Sequence, residues 1–335
     1  MAKDSGRIVE VAGQALHVSS PDKVYFPELG ATKFELVEYY LAIGNSLMVT
    51  AGDRPALLQR FPNGATGTSF FQKRVPDTAP EWLQTTVVTT PNGTTSNALV
   101  IADLAHVVWA VNLGCLGLHL WPYRASDPDH ADELRIDLDP QPGVDFDAVR
   151  ITAFHCRDLL AEFGLEAFPK TTGNRGLHIY LRLEPQWDST EVRSCAVAVA
   201  RELERRFPDL VTANWWKEER GERVFVDFNQ NAPHKTVFGA WFARPRTGGQ
   251  VSTPLSWDEV TTVVPDDLTI RSVPALVAER GDPWADVGRL QSLDPLLELV
   301  ARDKAAGLHD APWPPEYPKA PDEPPRVAPS RAKKA

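Results

Sequence analysis

In the stretch Glu133–Pro140, Leu134, Ile136 and Leu138 alternate with Arg135, Asp137 and Asp139. A period of two predicts a β-strand with one face toward a core and the other toward solvent or a site. Residues 177–183 repeat the pattern, with Leu177, Ile179, Leu181 and Leu183 on the core face and His178, Tyr180 and Arg182 opposite. A third strand over 223–228 sets Asp227 on one face with Arg223 and Phe225. Shorter strands are expected at 8–11, at 57–61 before Pro62, and, with looser alternation, at 116–121. Elsewhere the spacing is helical. Thr32 followed by Glu35 forms a capping box before the apolar stripe of 33–43. Helices are also predicted over 97–114, over 145–163 with Gly164 as C-cap, and over 189–207, where Pro208 closes the run. From Pro312 onward proline dominates, which predicts an extended tail ending in Arg331-Ala332-Lys333-Lys334. The mixture predicts an α/β chain of the α+β type, built on a largely antiparallel central sheet flanked by helices.

Composition narrows the setting more than the function. A chain of 335 residues can bury a substantial core, as one large domain or two smaller ones. No segment reaches the run of about 18 apolar residues that a membrane-spanning helix needs, so no membrane partner is expected. The opening Met1-Ala2-Lys3-Asp4-Ser5-Gly6 leads into a strand and does not read as a signal sequence. Cys115, Cys156 and Cys195 are too far apart for a zinc motif or a disulfide framework, which fits a reducing cytoplasm. A net charge of −10 argues against coating nucleic acid through bulk charge, while leaving room for a local basic groove.

The candidate chemistry lies on the three strongest strands. Asp137 and Asp139, two residues apart, point the same way at a separation of about 6.5–7 Å. Carboxylates that close repel unless a cation lies between them. If the three strands are neighbours, Asp227 joins the pair and His178 lies nearby, a set able to hold two Mg²⁺ or Mn²⁺ ions. Thr171-Thr172-Gly173-Asn174-Arg175-Gly176 is a tight loop whose glycines, threonine hydroxyls and arginine suit an anion. It lacks the Walker spacing and leads into a strand, not a helix. Arg244, Lys235 and Arg246 offer further cations.

These segments resemble a known family. Asp137-Leu138-Asp139-Pro140, Gly173-Asn174-Arg175-Gly176-Leu177-His178 and Val226-Asp227 look like the polymerase domain of bacterial ligase D, in the archaeo-eukaryotic primase superfamily. Leu118-His119-Leu120-Trp121-Pro122 upstream and Val251–Trp257 downstream (Val-Ser-Thr-Pro-Leu-Ser-Trp) extend the likeness over nearly the whole chain. The resemblance implies a single primase-polymerase domain over 1–310. A DNA-contacting half spans about 1–115, an RRM-like catalytic half about 116–310, and a proline-rich tail follows over 311–335. It implies a template-directed nucleotidyltransferase that uses two divalent cations, prefers ribonucleotides and fills gaps or extends ends in DNA repair.

By motif position, Asp137, Asp139 and Asp227 would bind the metals and carry catalysis. His119 would position the incoming nucleotide, and Thr172, Arg175, His178 and Arg244, with Lys235, would hold its triphosphate and sugar. Lys23 and Lys33 would grip the 5′-phosphate across a gap, and Phe70 and Phe71 would stack on bases. Gapped or broken DNA, nucleoside triphosphates, a separate DNA ligase and the end-binding Ku protein are the implied partners, in the nucleoid-associated cytoplasm. The loop carries Thr172 and Arg175 where many relatives carry serine and lysine; hydroxyl and cation are kept, although arginine is the broader, planar donor. Two other reaction classes share part of this pattern. Three carboxylates and a histidine also serve a metal-dependent phosphodiesterase or nuclease, and a non-catalytic DNA-end-binding adaptor could keep the acids for structure alone.

Overall fold

A computed structural model of the chain describes residues 6–319 and 323–327. The first half contains strands β1 (Arg7–Val11), β2 (Gln14–Val18), β3 (Val24–Phe26) and β4 (Ala31–Thr32), then helices α1 (Lys33–Ala42) and α2 (Gly44–Ala51). Strands β5 (Pro55–Arg60), β6 (Phe70–Gln72), β7 (Thr85–Thr89) and β8 (Thr95–Val100) follow, then α3 (Leu104–Asn112) and β9 (Cys115–Leu120). The second half runs through β10 (Glu133–Pro140), α4 (Phe146–Glu162), β11 (Phe168–Thr171), β12 (Leu177–Arg182), α5 (Ser189–Arg206), β13 (Val211–Thr212), β14 (Val224–Asp227) and β15 (Val237–Phe238). Three helices close it: α6 (Trp257–Val260), α7 (Ser272–Arg280) and α8 (Asp294–Ala305).

Two sheets organise these elements. One has the order β11-β12-β10-β14-β13 and is antiparallel except for the β13–β14 pair. The other has the order β15-β9-β5-β8-β7, with β6 also on β5, and is antiparallel throughout. Because β15 comes late in the chain and pairs with β9, the second half is stitched into the sheet built by the first half. The architecture is the mixed α/β, largely antiparallel arrangement that the hydrophobic pattern predicts.

The apolar face of β10 and β12 is fully inside, with Leu134, Ile136, Leu138, Leu177, Ile179 and Leu181 no more than 1 % exposed. Helices α4 and α5 pack against these strands. Val149, Ala153, Cys156 and Leu160 form the stripe of α4 that is buried, at the three- and four-residue spacing of one helix face. Burying each such leucine or isoleucine contributes about 1.5–3 kcal/mol. Caps end the helices where the sequence signals them. The Thr32 hydroxyl accepts from the Glu35 amide while the Glu35 carboxylate accepts from the Thr32 amide, and Gly164 follows α4 at φ +73°.

Two expectations need correcting. The helix predicted over 97–114 begins only at Leu104. Ala98, Leu99 and Val100 belong to β8, which pairs with β5 and β7, and Asp103 caps α3 by accepting from the amides of Ala105 and His106. An apolar run this short fits strand or helix, and sheet pairing decides it. The polar face of β10 is also not open to solvent over its first half, since Glu133 and Arg135 are both buried. Arg135 donates to the Leu120 carbonyl of β9 and to the Trp121 carbonyl just after it, and ion-pairs with Glu133 at 2.8 Å. Arg54, fully buried, pairs with Asp132 at 2.7 Å and Glu133 at 2.6 Å. Opposite charges in good geometry make it possible to bury a face that alternation alone assigns to water.

The proline-rich stretch from residue 311 forms neither helix nor strand among the described residues and lies against the body of the protein. Residues 328–335, including Arg331–Lys334, are outside the described residues. No helix among the described residues is long and apolar enough to cross a membrane.

Replacing Arg54 by methionine tests the buried ion network. It leaves two buried carboxylates with fewer partners and should destabilise the fold by about 3 kcal/mol, read as a lowered urea midpoint. An unchanged midpoint would mean that Arg124, Arg135 and Arg182 suffice to compensate both acids.

Candidate active site

β10 is the central strand of its sheet, and its register builds the site. Asp137 lies opposite His178 of β12 on one side and opposite Asp227 of β14 on the other. Directly opposed residues share a face of the sheet, so the side chains converge. Asp139, one pleat further on, lies opposite Phe225 and shares that face. One oxygen from each of Asp137, Asp139 and Asp227 falls within 4.8 Å of the others. Asp137 is buried, Asp227 half-buried, and Asp139 stands at the mouth. Among the described residues no lysine or arginine ion-pairs with any of the three.

The acids therefore stand in each other's field. Burial raises the Asp227 carboxyl from the usual 3.8 to about 6, with the neighbouring Asp137 charge adding to the effect. Burial likewise raises Asp137, and the Asp137 charge followed by desolvation raises Asp139. Asp227 is steadied by the Asn229 amide at 3.0 Å and the Gln230 side-chain amide at 2.7 Å. One oxygen of Asp137 is buried without a hydrogen-bond donor, although the His178 Nε2 lies 3.2 Å away. Burial, then the charges of Lys170 and Arg244, hold the His178 imidazole well below its ordinary range, so it is neutral. Convergent, mutually repelling, under-donated carboxylate oxygens are the donor set that a hard divalent cation requires.

Facing the acids is the loop between β11 and β12. Thr172 closes it by accepting from the amides of Asn174 and Gly176 at 3.1 and 3.2 Å. Gly173 sits at φ +70°, and a Cβ at Gly176 would stand 2.4 Å from the Leu138 carbonyl oxygen. Glycine is thus required where the loop presses on the strand between the two aspartates. Arg244 donates to the Thr172 carbonyl at 2.6 Å, and its guanidinium lies 4.0 Å from the centre of the Phe238 ring. Asp137, Asp139, Thr172, Arg175, His178 and Arg244 line one small cavity of about 80 Å³. The two halves of the chemistry that the sequence suggests are brought together here.

The remaining candidates lie apart from this cavity. His119 on β9 borders a larger neighbouring cleft of about 770 Å³, together with Phe71 and Lys235. Burial and the Arg244 charge depress His119 to about 3, so its imidazole is also neutral. Phe70 and Phe71 are both exposed, at 48 % and 57 %, and the Phe71 ring meets the His119 ring edge-on at 5.7 Å. The usual fate of adjacent phenylalanines, one buried and one exposed, does not apply to them. Lys235 ion-pairs with Glu316 at 2.5 Å.

Lys23 and Lys33 meet at the start of α1, where the Lys33 amide donates to the Lys23 carbonyl. They differ sharply in environment. The Lys23 ammonium is exposed and bonds the Pro62 carbonyl and the Asn63 side chain. Lys33 is only 3 % exposed, and Ser19 and Asn112 give its ammonium four oxygen contacts within 3.3 Å.

Three residues of the site escape a reading of the sequence. Lys170 is fully buried behind the acids and donates to the Ser252 hydroxyl at 2.6 Å. It follows Pro169, and proline argues against an interior strand position. Arg220 stacks on Phe225 at 3.4 Å, close enough to Asp227 and Asp139 to lower their proton affinity. It sits in Lys217-Glu218-Glu219-Arg220-Gly221-Glu222-Arg223, a run that reads as a solvated charge cluster. Gln230 follows Asp227 in a turn, with no sequence signal of its bond to that acid.

Comparison with known proteins identifies the family of the chain. The sequence model of the family described as "LigD, primase-polymerase domain" matches residues 32–284. The chain belongs to that family. A primase-polymerase is a nucleotidyltransferase, so this family member is an enzyme by class. It is 32 % identical over 308 residues to the multifunctional non-homologous end joining protein LigD of Mycolicibacterium smegmatis, covering 91 % of this chain and 40 % of that one. It is 29 % identical to the bifunctional LigD of Bacillus subtilis, covering 85 % of this chain and 46 % of that one. The chain thus spans less than half the length of these relatives. The fold is similar to the polymerase domain of Mycobacterium tuberculosis ligase D, solved in complex with DNA, with a TM-score of 0.77 and 32 % identity over 82 % of this chain and 98 % of that one.

The raised carboxyl pKa values give a signed prediction. A folded-state pKa near 6 against 3.8 means that the folded protein binds more protons than the unfolded chain between those values. Metal-free stability should therefore fall as pH rises from about 4 through about 6. Mn²⁺ binds only the deprotonated acids, so it should raise Tm more at pH 8 than at pH 5. Equal Mn²⁺ shifts at both pH values, or none, in thermal scans would count against a metal site on these acids.

Proposed function

We propose that the protein is a template-directed DNA-repair polymerase acting in end joining, which fills short gaps or extends broken ends with a preference for ribonucleotides. The observation that carries this reading is a cluster of three carboxylates, two of which, Asp137 and Asp139, share one cavity with a cationic, glycine-turned loop. In the reaction, the primer 3′-hydroxyl oxygen attacks the α-phosphorus of a nucleoside triphosphate. The bond from that phosphorus to the β-phosphate oxygen breaks, pyrophosphate leaves, and the hydroxyl proton passes to solvent. Two divalent cations, Mn²⁺ or Mg²⁺, held by Asp137, Asp139 and Asp227, would acidify the hydroxyl and neutralise the phosphates.

The chain's own groups do the rest. Arg175, Arg244 and the Thr172 loop bind the triphosphate opposite the acids, which aligns the α-phosphorus with the incoming hydroxyl. His119 and Lys235 border the adjoining cleft and orient the nucleotide. Neutral His178 stands beside the Asp137 carboxylate without supplying a competing charge. The exposed Phe70 and Phe71 stack on bases whatever their sequence, at about 1–3 kcal/mol per base. Lys23, with Lys33 behind it, receives the terminal 5′-phosphate at the far side of a gap; such a group carries more charge than an internal phosphodiester. A separate DNA ligase and Ku are the partners that such a polymerase would serve.

A nuclease would need the acids but not a cradle of cations for a triphosphate, and an adaptor would need neither in this geometry. The cations across from the carboxylates favour polymerisation.

Primer extension on gapped DNA tests the reading. With Mn²⁺ and each nucleotide type, Asp139→Ala should lower the extension rate at least about a hundredfold, while gap binding by fluorescence anisotropy is kept. Extension at the wild-type rate would refute the metal role of the acid, and nucleotide-independent strand shortening would point to hydrolysis. Lys23→Ala should reduce the preference for a 5′-phosphorylated over an unphosphorylated gap. An unchanged ratio of the two affinities would remove that lysine from the phosphate site.

A further inference from the structure

The cleft of about 770 Å³ beside the acids is lined by Lys73, Lys235, His119, His234 and Gln230, and by polar and aromatic groups. Among the described residues the one carboxylate on its lining is Glu316, which reaches it from the proline-rich stretch. That stretch is anchored firmly. Fully buried Arg193 of α5 donates to the Asp310 carboxylate and the Ala311 carbonyl, both at 2.9 Å, and lies 3.9 Å from the centre of the Trp313 ring. The Asn229 side chain donates to the Pro312 carbonyl at 3.1 Å, while its backbone amide donates to Asp227. Arg326 folds back to donate to the Tyr317 carbonyl at 2.7 Å, and the indoles of Trp215 and Trp216 donate to the Arg326 and Pro325 carbonyls. From these anchors the Tyr317 hydroxyl bonds the Pro233 carbonyl, and Glu316 meets Lys235 at 2.5 Å.

We propose that residues 310–319 and 323–327 form an intramolecular latch in which Glu316 occupies Lys235 and so withholds that cation from phosphate entering the cleft. The proposal rests on the polymerase reading and adds regulation to it. An anion at the cleft must displace Glu316 before it can use Lys235, so the latch sets a threshold on binding. The pair is half-exposed, with the two side chains 31 % and 47 % accessible, so water screens it and phosphate can displace it. The rigid part is the Arg193 anchor; the releasable part is the single ion pair at the rim. The phosphate could belong to the nucleotide or to the DNA backbone, because both present the same anionic oxygens.

The full chain carrying Glu316→Gln decides it. Calorimetry with guanosine triphosphate and Ca²⁺, and anisotropy with 5′-phosphorylated gapped DNA, are the two arms. One ligand should bind about two- to fivefold more tightly than to the unsubstituted protein, as expected for loss of a half-exposed ion pair, and that arm identifies the phosphate. In a Lys235→Gln background, adding Glu316→Gln should give no further gain. Unchanged affinity in both arms overturns the latch and leaves the polymerase reading intact. A gain that persists without Lys235 also overturns it, because the effect would then be a general change of field. Failure of the unsubstituted protein to bind either ligand overturns both readings.

Discussion

The structure depends on a repulsion that the backbone will not release. Antiparallel pairing of β10 with β14 sets Asp137 directly opposite Asp227, and the alternation of β10 brings Asp139 onto the same face. Left to their own charges, the three side chains would move apart. They cannot, because the strands carrying them are fixed by the ladder and by the apolar face under α4 and α5, where Leu138 and Val226, themselves a register pair, are fully buried. The packing of the helical face holds the polar face in a geometry that only protons or cations relieve. Shifting the register by one residue would turn every acid into the core, so the same hydrophobic pattern that folds the sheet also specifies the site.

The cradle is tied to the same strand. Gly176 lies against the Leu138 carbonyl, and Thr171, Lys170 and Ser252 link the loop's base to the segment that carries Arg244. Any displacement of β10 therefore moves acids and cradle together, which keeps the gap between them constant. The first sheet is locked to the second by charge as well as by chain. Arg135 bonds the β9 carbonyl of Leu120, Lys170 bonds the Phe238 carbonyl of β15, and Arg54 bridges to Asp132 and Glu133. These are buried basic side chains whose partners span both sheets, so the aromatic residues of β6 and β9 keep a fixed position relative to the acids.

Much of this was legible because the decisive elements obey local rules. β10, β12, α4 and α5 have clean periods and clear caps, and their expected bounds lie within a residue or two of the observed ones. The acids and the glycine loop were visible as residue types whose spacing makes sense only on paired strands. What stayed hidden depends on tertiary contact. Pro169 masks the strand that carries Lys170, and the charge run around Arg220 looks solvated until Phe225 is seen beneath it. The exchange of strand for helix at Ala98–Val100 has the same origin, since neighbouring strands and not local propensity decide short apolar runs. Lys33 also depends on tertiary contact: the lysine that the resemblance assigns to a 5′-phosphate is inside, where Ser19 and Asn112 supply oxygens to its ammonium.

The two histidines complete the electrostatic logic. Protonated imidazoles beside a carboxylate cluster compete with any other cation for its oxygens. Burial removes that competition, holding His178 beside Asp137 in the neutral form and pressing His119 to about 3. The nearby Arg244 charge acts in the same direction on both. Arg244 therefore has two effects at once, placing a positive charge across from the acids and helping to keep the imidazoles uncharged. The carboxylates are shifted the other way, and their raised proton affinity measures how much relief a proton or a cation brings them. Burial thus acts in opposite directions on the two kinds of group, raising the proton affinity of the acids and lowering that of the imidazoles.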